Sequence, residues 1–291
     1  NQREKSNMKF TKMHGIGNDY VYVNCFQEKI DEPSRVAELV SSRHFGIGSD
    51  GLILIGPSDK ADFRMEMYNA DGSRGAMCGN GIRCVAKYVY DHGLTNMTAI
   101  TVETDAGIKA LELTVQDGRV AMVAVDMGIP ELTSNGLSVL LDAAGRSGLT
   151  KEQIWESITV GGREYEMIAI SVGNPHAIVF VEETDTIPIE QIGPLFECHS
   201  RFPDRTNTEF IQVVSPEYLK MRVWERGSGE TMACGTGATA SVAAAVLAGL
   251  AEPEAQVKLL GGTLNFSWNQ DNGHMMMTGP AAEVFHGEID I

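Results

Sequence analysis

The sequence repeats itself, in separate blocks, after a constant shift of 156 residues. The clearest block holds Cys78-Gly-Asn-Gly81 in the first half of the chain and Cys234-Gly-Thr-Gly237 in the second. A single shift that aligns several blocks without gaps indicates a tandem duplication. With 291 residues, each half is long enough to form a domain with its own core. The matching segments are 17–18 with 173–174, 51–55 with 207–211, and 65–81 with 221–237.

Short β-rich runs alternate with turn residues along the chain and predict strands. Helices are predicted at 32–42, where Pro33 suits a first turn, and at 82–90. In each half, a strand leads into a turn rich in Gly and Ser, then into the repeated cysteine sequence, then into an apolar helix. The predicted strands are 20–25, 51–55, 63–68, 99–103, 120–125, 166–171, 177–181, 210–214, 220–223 and 256–260.

Residues 231–251 form an uncharged run that has two interpretations. The run is long enough to cross a membrane, but it consists mostly of Ala, Gly, Ser and Thr and is only weakly hydrophobic. A helix that is apolar on every side and has small side chains is typical of a helix buried inside a domain. We therefore predict a buried helix and no membrane association.

The composition is acidic, with 39 acidic and 23 basic residues and a net charge of −16. A protein that binds nucleic acid without sequence preference needs a basic surface, so the charge argues against nucleic acid as a partner. Any anionic substrate must be held by local donors, because the overall field repels it. Five cysteines cannot all pair, and residues 1–13 contain no apolar segment of a secretory signal. We expect reduced thiols and a cytoplasmic protein.

Cys78 and Cys234 are each predicted to lie at the start of a helix. Unpaired backbone N–H groups point outward there, and together with the helix dipole they favour a thiolate and bind anions. The duplication therefore predicts two activated cysteines and two anion cradles, which can meet in one cleft if the domains face each other. The other cysteines, Cys25, Cys84 and Cys198, are expected to be small buried hydrophobic residues.

Two opposed thiols suit the inversion of a carbon stereocentre. Inversion without a redox step needs a base on one face of the carbon and an acid on the other, hence one thiolate and one thiol. The α-proton of an amino acid is weakly acidic, so the charge that develops on its carboxylate must be stabilised, and two helix N-termini can do this. No lysine context indicates pyridoxal phosphate, and neither zinc-ligand spacing nor a complete dinucleotide-binding motif occurs.

Several motifs follow one another between residue 8 and the end of the chain. They are His14-Gly-Ile-Gly-Asn-Asp-Tyr20, Tyr68-Asn-Ala-Asp-Gly-Ser73 with Cys78-Gly-Asn-Gly81, Gly173-Asn-Pro-His176, Arg205-Thr-Asn207, and Trp224-Glu-Arg226 through Cys234-Gly-Thr-Gly237. Together they resemble the diaminopimelate epimerase family. The resemblance implies an isomerase that interconverts LL- and meso-diaminopimelate without a cofactor, on the route to lysine and peptidoglycan. It also implies a homodimer, and a small amino-acid substrate with two carboxylates.

The resemblance further implies the fold and the domains. Each of two pseudosymmetric α/β domains is a mixed β-sheet curled around a central helix. The first domain comprises 8–126 with the returning tail 279–291 and carries Cys78. The second comprises 127–278 and carries Cys234.

Site residues follow from the resemblance position by position. Cys78 matches the proton donor and Cys234 the acceptor in the LL-to-meso direction, and the roles reverse in the other direction. His176 and Glu225 match residues that assist the proton transfers of the cysteines. Some relatives carry glutamine where this chain has Gly51, which leaves only a backbone contact there. The positions that match substrate contacts are Asn18, Gly51, Asn69, Gly79, Asn80, Asn174, Asn207, Glu225, Arg226, Gly235 and Thr236.

Two other functions remain open from the residues. A proline or hydroxyproline racemase uses the same chemistry, but relatives of that kind tend to carry histidine at the position of Asn80 and have no need for Arg226. A phenazine-type isomerase would carry a carboxylate in place of Cys78, so Cys78 excludes that function. A thiol–disulfide redox protein, from a different class, would cycle Cys78 and Cys234 through a disulfide.

Overall fold

The computed structural model describes residues 7–141 and 148–291. The first strands are β1 (Asn7–Gly15), β2 (Asn18–Asn24), β3 (Gly51–Gly56), β4 (Phe63–Asn69), β5 (Arg74–Gly75), β6 (Ala99–Thr104), β7 (Gly107–Gln116), β8 (Arg119–Asp126), β9 (Glu131–Leu132) and β10 (Val139–Leu140). They are followed by β11 (Glu156–Val160), β12 (Arg163–Ser171), β13 (Pro175–Phe180), β14 (Asn207–Ser215), β15 (Tyr218–Glu225), β16 (Gly229–Glu230), β17 (Glu254–Lys258), β18 (Thr263–Trp268), β19 (Met275–Gly279) and β20 (Ala282–Asp290). The helices are α1 (Pro33–Ser41), α2 (Gly79–Asp91), α3 (Lys151–Ile154), α4 (Ile189–Glu197) and α5 (Gly235–Leu247), with a 3₁₀ turn at Ser134–Gly136.

One compact unit comprises Asn1–Val125 and Gly279–Ile291. Its strands pair in the order β20-β1-β2-β3-β4-β6-β7-β8, and the short strand β5 pairs with β4. Neighbours are antiparallel except at β2–β3 and β4–β6, which are parallel. Parallel neighbours need a crossover connection, and α1 and α2 lie in these two crossovers.

The other compact unit comprises Asp126–Thr278. Its main strands pair in the order β11-β12-β13-β14-β15-β17-β18-β19, with parallel pairs only at β13–β14 and β15–β17 among the described residues. Helices α4 and α5 lie in the two crossovers. The short strand β9 pairs with β12, β10 pairs with β9, and β16 pairs with β15.

The two units share one topology down to the register of their strands. Leu52 pairs with Tyr68 between β3 and β4, and Thr208, 156 residues later in the chain, pairs with Trp224 between β14 and β15. Side chains that the repeat makes equivalent therefore face the same way on equivalent strands. The predicted fold class, a mixed β-sheet with a central helix, is confirmed.

Helices α2 and α5 are the central helices, and each has 13 residues. Helix α2 contacts β1, β2, β7 and β20, whereas α5 contacts β12, β13, β14, β17 and β18. Small side chains let α5 lie in the core with almost every residue buried, as the run at 231–251 predicts. Among the described residues, no helix is both long and apolar enough to cross a membrane.

A second core lies on the other face of each sheet. In the first unit, α1 packs Val36 and Val40 against Val21, Val23 and Leu52. In the second unit, α4 contributes Ile189 and Phe196 to a cluster with Phe210 and other residues of the sheet. The predicted helix at 32–42 is confirmed, because Pro33 occupies the first turn and the spacing of Val36 and Val40 gives α1 one apolar face.

Candidate functional site

Cys78 is the N-cap of α2, with an extended backbone at φ −136° and ψ 118°. Its Sγ accepts a hydrogen bond from the backbone N–H of Gly81 at 3.3 Å. Gly81 lies inside the helix, where a Cβ would come within 2.7 Å of Ile53 Cδ1. The second glycine of the motif therefore serves close packing of the first turn on β3 and not a turn outside the helix.

Asn18 is the partner of Cys78 on β2. The Sγ of Cys78 donates to Asn18 Oδ1 at 3.2 Å, while Asn18 Nδ2 donates to Asp50 Oδ2 at 2.8 Å. Because the carboxylate of Asp50 can only accept here, it fixes the Asn18 amide with its oxygen toward the sulfur. In this arrangement Cys78 is a thiol.

A charged network surrounds Asp50. Burial and the neighbouring carboxylate of Asp19 raise the pKa of Asp50. Burial also acts on Asp19, but hydrogen bonds from Arg43 and Lys12 outweigh it and hold the pKa of Asp19 below its ordinary value. Arg43 bridges the two carboxylates, at 3.0 Å from Asp19 and 2.9 Å from Asp50. The sequence reasoning missed Asp50, since only the folded chain brings it beside Asn18.

The other candidates in this unit lie at strand ends and in the first turn of α2. Gly79 and Asn80 are buried at the start of α2. Gly51 pairs with Asn69 across β3 and β4, and the Asn69 side chain donates to Ser73 at 2.9 Å. A Cβ at Gly51 would come within 2.1 Å of the carbonyl oxygen of Tyr68, so no side chain fits there.

Cys234 is the N-cap of α5 and repeats the geometry of Cys78. Its Sγ accepts from the backbone N–H of Gly237 at 3.4 Å, and its backbone has φ −127° and ψ 108°. Thr236 Oγ1 lies 3.6 Å from the sulfur. Gly235 and Thr236 form the first turn of α5, so their backbone N–H groups are at the open end of the helix.

The expectation that both cysteines favour the thiolate is wrong for Cys234 in this structure. Burial raises the pKa of Cys234 well above its ordinary value, and the carboxylates of Glu225 and Glu209 raise it further. The hydroxyl of Thr236 and the N–H of Gly237 act in the opposite direction but do not compensate. Desolvation and nearby negative charge outweigh the helix N-terminus.

His176 on β13 connects a buried carboxylate to the first turn of α5. Its Nδ1 lies 2.7 Å from Glu209 Oε1, and its Nε2 lies 3.0 Å from Asn174 Oδ1. Asn174 Nδ2 donates in turn to Thr236 Oγ1 at 3.3 Å. A Cβ at Gly237 would come within 2.3 Å of Glu209 Oε1, so glycine is required where the carboxylate meets the helix. Glu209 was missed because its strand reads as an ordinary apolar run.

Asn207, Glu225 and Arg226 lie together at the ends of β14 and β15. Asn207 Nδ2 donates to Pro175 O at 3.0 Å, and its Oδ1 accepts the backbone N–H of Arg226 at 2.8 Å. Burial raises the pKa of Glu225, although hydrogen bonds to Thr231 and Cys234 oppose this. The exposed Arg226 side chain donates to a backbone carbonyl at 3.0 Å.

The remaining cysteines differ from these two. Cys84 is fully buried and Cys25 partly buried, and burial raises the pKa of each to about 11. Cys198 is exposed at the end of α4, so its prediction as a buried hydrophobic residue is wrong. Among the described residues, no group of three or more His, Cys, Asp or Glu side chains is arranged to hold a metal ion.

The fold is shared with solved structures of distant relatives. A hydroxyproline epimerase from Agrobacterium vitis superposes with a TM-score of 0.72, covering 100% of this chain and 94% of the other, at 16% identity. At the sequence level, the model of the diaminopimelate epimerase family matches residues 10–133 and 168–284. The chain is 58% identical to a diaminopimelate epimerase of Agathobacter rectalis over 98% of this chain and 100% of that one. It is 55% identical to one of Acetivibrio thermocellus, over 98% of this chain and 99% of that one.

The chain therefore belongs to the diaminopimelate epimerase family, and it is an isomerase. The resemblance identified from the motifs is confirmed.

Proposed function

We propose that this chain interconverts LL- and meso-diaminopimelate by moving one proton at an α-carbon, with Cys78 and Cys234 as the two acid–base groups and no cofactor. The observation that carries the proposal is the duplicated cap. In each half a cysteine is the N-cap of the central helix, and its sulfur accepts a hydrogen bond from the backbone N–H of the glycine three residues later. Two sulfurs held in the same cap geometry suit an acid and a base that exchange roles with the direction of reaction.

In the LL-to-meso direction, Cys234 takes the α-proton from one face and Cys78 gives its proton to the other. The hydrogen bond from Cys78 to Asn18 supports the donor role, because an acceptor beside the sulfur favours the thiol. Cys234 must first lose its own proton. Glu225 is the acceptor we propose, since burial raises the pKa of Glu225 and makes its carboxylate more basic. His176, held between Asn174 and Glu209, assists these proton transfers.

The reacting carboxylate is bound by backbone N–H groups at the starts of α2 and α5, at Gly79, Asn80, Gly235 and Thr236. Charge develops on this carboxylate as the α-proton leaves. A preorganised donor at such a place contributes about 3–4 kcal/mol to transition-state stabilisation. Such local donors are needed because the net charge of −16 repels an anionic substrate.

The distal half of the substrate is recognised by Arg226, which can bind a carboxylate with two parallel hydrogen bonds. Its backbone is fixed by Asn207, which leaves the long side chain exposed at the end of β15. The further contacts that we propose are with Asn18, Gly51, Asn69, Asn174, Asn207 and Glu225.

The domains proposed for this reaction are 8–126 with 279–291, and 127–278. We also propose a homodimer in the cytoplasm that acts in the synthesis of lysine and peptidoglycan precursors. Reduced thiols are required, since a disulfide between the two cysteines would remove both the acid and the base.

Turnover in deuterium oxide tests the proposal. LL-diaminopimelate should be converted to the meso form with solvent deuterium at the inverted carbon, and the product should be labelled before the recovered substrate. Cys78→Ala and Cys234→Ala should both abolish turnover, whereas Cys198→Ala, at an exposed cysteine, should keep it. Inversion of proline in place of diaminopimelate, or product without solvent deuterium, would contradict the proposal.

A further inference from the structure

Arg83 is a cation in the interior of the first unit. Its exposed fraction is 0%, and it lies on α2 one turn beyond Cys78. Its Nη1 donates to Gly79 O at 3.1 Å, its Nη2 to Asn80 Oδ1 at 2.9 Å, and its Nε to Pro280 O at 3.2 Å. All three acceptors are uncharged. Within residues 7–141 and 148–291, Arg83 forms no ion pair with a carboxylate.

A buried charge with no counter-ion is unfavourable, and folded proteins almost always pair such a charge. Burial lowers the pKa of Arg83 from its ordinary value, and the neighbouring Cys84, Cys78 and Tyr22 side chains oppose this effect without cancelling it. A guanidinium nevertheless stays protonated in proteins. Arg83 thus places a full positive charge beside the first turn of α2, and no carboxylate of the described residues neutralises it.

We propose that Arg83 is the positioning residue of the carboxylate cradle, and that the reacting carboxylate of the substrate is its counter-ion. This inference rests on the proposed function, because it concerns the carboxylate held at the start of α2. Arg83 acts through Asn80. The Arg83 Nη2 donates a hydrogen bond to Asn80 Oδ1, so the NH₂ group of the Asn80 amide faces away from the guanidinium.

The surroundings hold Arg83 and Asn80 in this relation. Gly15 on β1 lies against both, and a Cβ there would come within 2.9 Å of Arg83 Nη2 and 2.9 Å of Asn80 O. The absence of a side chain at Gly15 lets the β1 backbone close over the pair. Neither side chain can then move without disturbing the strand, so the donors at the start of α2 are preorganised.

The second half of the chain shows that the helix does not need this cation. Thr239 lies 156 residues after Arg83, on α5, and is also fully buried. Its Oγ1 donates to Gly235 O at 2.8 Å, the carbonyl equivalent to the one that Arg83 binds on α2. A neutral hydroxyl therefore makes the same helical contact. The charge of Arg83 must serve another purpose, and a carboxylate ligand supplies one.

The test compares Arg83→Met, Arg83→Lys and the matched control Thr239→Val with the wild-type chain. Methionine fills a similar volume without charge, and lysine keeps the charge but loses the fork to Asn80. The measurements are kcat, KM and the rise in Tm caused by the ligand, with diaminopimelate, proline and hydroxyproline each used as the ligand. A ligand that binds only the folded state raises Tm, so this shift reports binding without turnover.

For Arg83→Met, KM should rise about 10- to 100-fold, the effect of losing an interaction with a charged group, and the Tm shift at a given ligand concentration should decrease. Arg83→Lys should show a smaller rise in KM, and Thr239→Val should keep the wild-type KM and Tm shift. A merely structural role would lower the Tm of the free protein in Arg83→Met and leave KM unchanged. That result, or an equal rise in KM for Thr239→Val, would overturn the inference.

Arg83→Lys decides the matter if Arg83→Met does not fold. A folded lysine variant with wild-type KM would overturn the inference, since the fork to Asn80 would then be dispensable. If the proposed function itself is wrong, the wild-type chain will show no Tm shift with diaminopimelate, a result that differs from any effect of the Arg83 variants. If it responds to proline instead, the same variants are compared on proline, and the role of Arg83 is tested independently.

Discussion

Glu209 Oε1 lies 2.7 Å from His176 Nδ1, and both side chains are completely inaccessible to solvent. The second carboxylate oxygen of Glu209 is buried and has no hydrogen-bond partner among the described residues. The His176 contact is therefore the main compensation for burying this carboxylate. His176 faces a side-chain oxygen through each ring nitrogen, Glu209 Oε1 at Nδ1 and Asn174 Oδ1 at Nε2.

The first prediction concerns this pair. Glu209→Gln should lower the free energy of unfolding by about 1–3 kcal/mol, because a charge-assisted hydrogen bond in the interior is lost. Urea denaturation measures the change. The matched control is Glu283→Gln, which removes the carboxylate of the partly exposed His92–Glu283 pair and should cost less than about 1 kcal/mol. Equal decreases in the free energy of unfolding of the two variants would show that the buried His176–Glu209 pair stabilises no more than the exposed pair.

The second prediction concerns pH. Glu225 raises the pKa of Cys234, so Glu225→Gln, which removes that negative charge, should move the ionisation of the Cys234 thiol to lower pH. Ultraviolet absorbance of the thiolate, taken as the difference from the same variant with Cys234→Ser, follows this ionisation without requiring turnover. Turnover itself should fall, since Glu225 is the proposed proton acceptor. A thiol that ionises at higher pH in Glu225→Gln would contradict the electrostatic reasoning.

The third prediction uses two equivalent glycines. Alanine inside a helix usually stabilises relative to glycine by about 0.5–1 kcal/mol. Gly237→Ala should instead destabilise by about 1–3 kcal/mol, because its Cβ meets the buried Glu209 carboxylate at 2.3 Å. Gly81→Ala should cost less, since its Cβ meets only the flexible tip of Ile53 at 2.7 Å. Thermal unfolding of both variants decides the order, and a larger loss at Gly81 would refute it.

The fourth prediction concerns the distal carboxylate. Arg226→Ala should raise KM for diaminopimelate about 10- to 100-fold and weaken discrimination against amino acids with one carboxylate, because a charged contact is lost. Steady-state kinetics with both substrate types measures this. Arg163→Ala, which removes an exposed arginine of β12, serves as the control and should leave KM unchanged. A wild-type KM for diaminopimelate in Arg226→Ala would show that Arg226 does not bind the distal carboxylate.

The repeat and the helix starts could be predicted from the sequence because they depend on local signals. The cysteine followed by Gly-X-Gly marks a cap and a first turn whatever surrounds it, and both Cys78 and Cys234 lie at caps. Helix α4 was not predicted. It contains Pro194, and its close approach to β15 requires Gly193, where a Cβ would come within 2.4 Å of the Trp224 ring. Such a contact depends on a distant strand.

The charged groups inside or at the edge of the core could not be predicted for a related reason. Glu209, Asp50 and Arg83 each stand in a local sequence that gives no sign of burial or of a partner. The partners of Glu209 and Asp50 come from other strands, and Arg83 reaches Pro280 O from a distant part of the chain, so only the tertiary structure reveals these contacts. The same limit explains the wrong expectation for the thiolate of Cys234, because desolvation is a property of the folded chain.

Because the two halves share one strand register, the residues at equivalent positions can be compared directly. Where the second half has Glu209 and His176, the first has Ile53 and Tyr20, and where the first has Arg83, the second has Thr239. A chain assembled from two copies of either half would keep the order of the main strands. Two copies of the first half would lack the His176–Glu209 pair, and two copies of the second half would lack the Arg83 guanidinium. The two halves thus share their main strand pairings but bury different polar groups, and neither half alone carries the whole set.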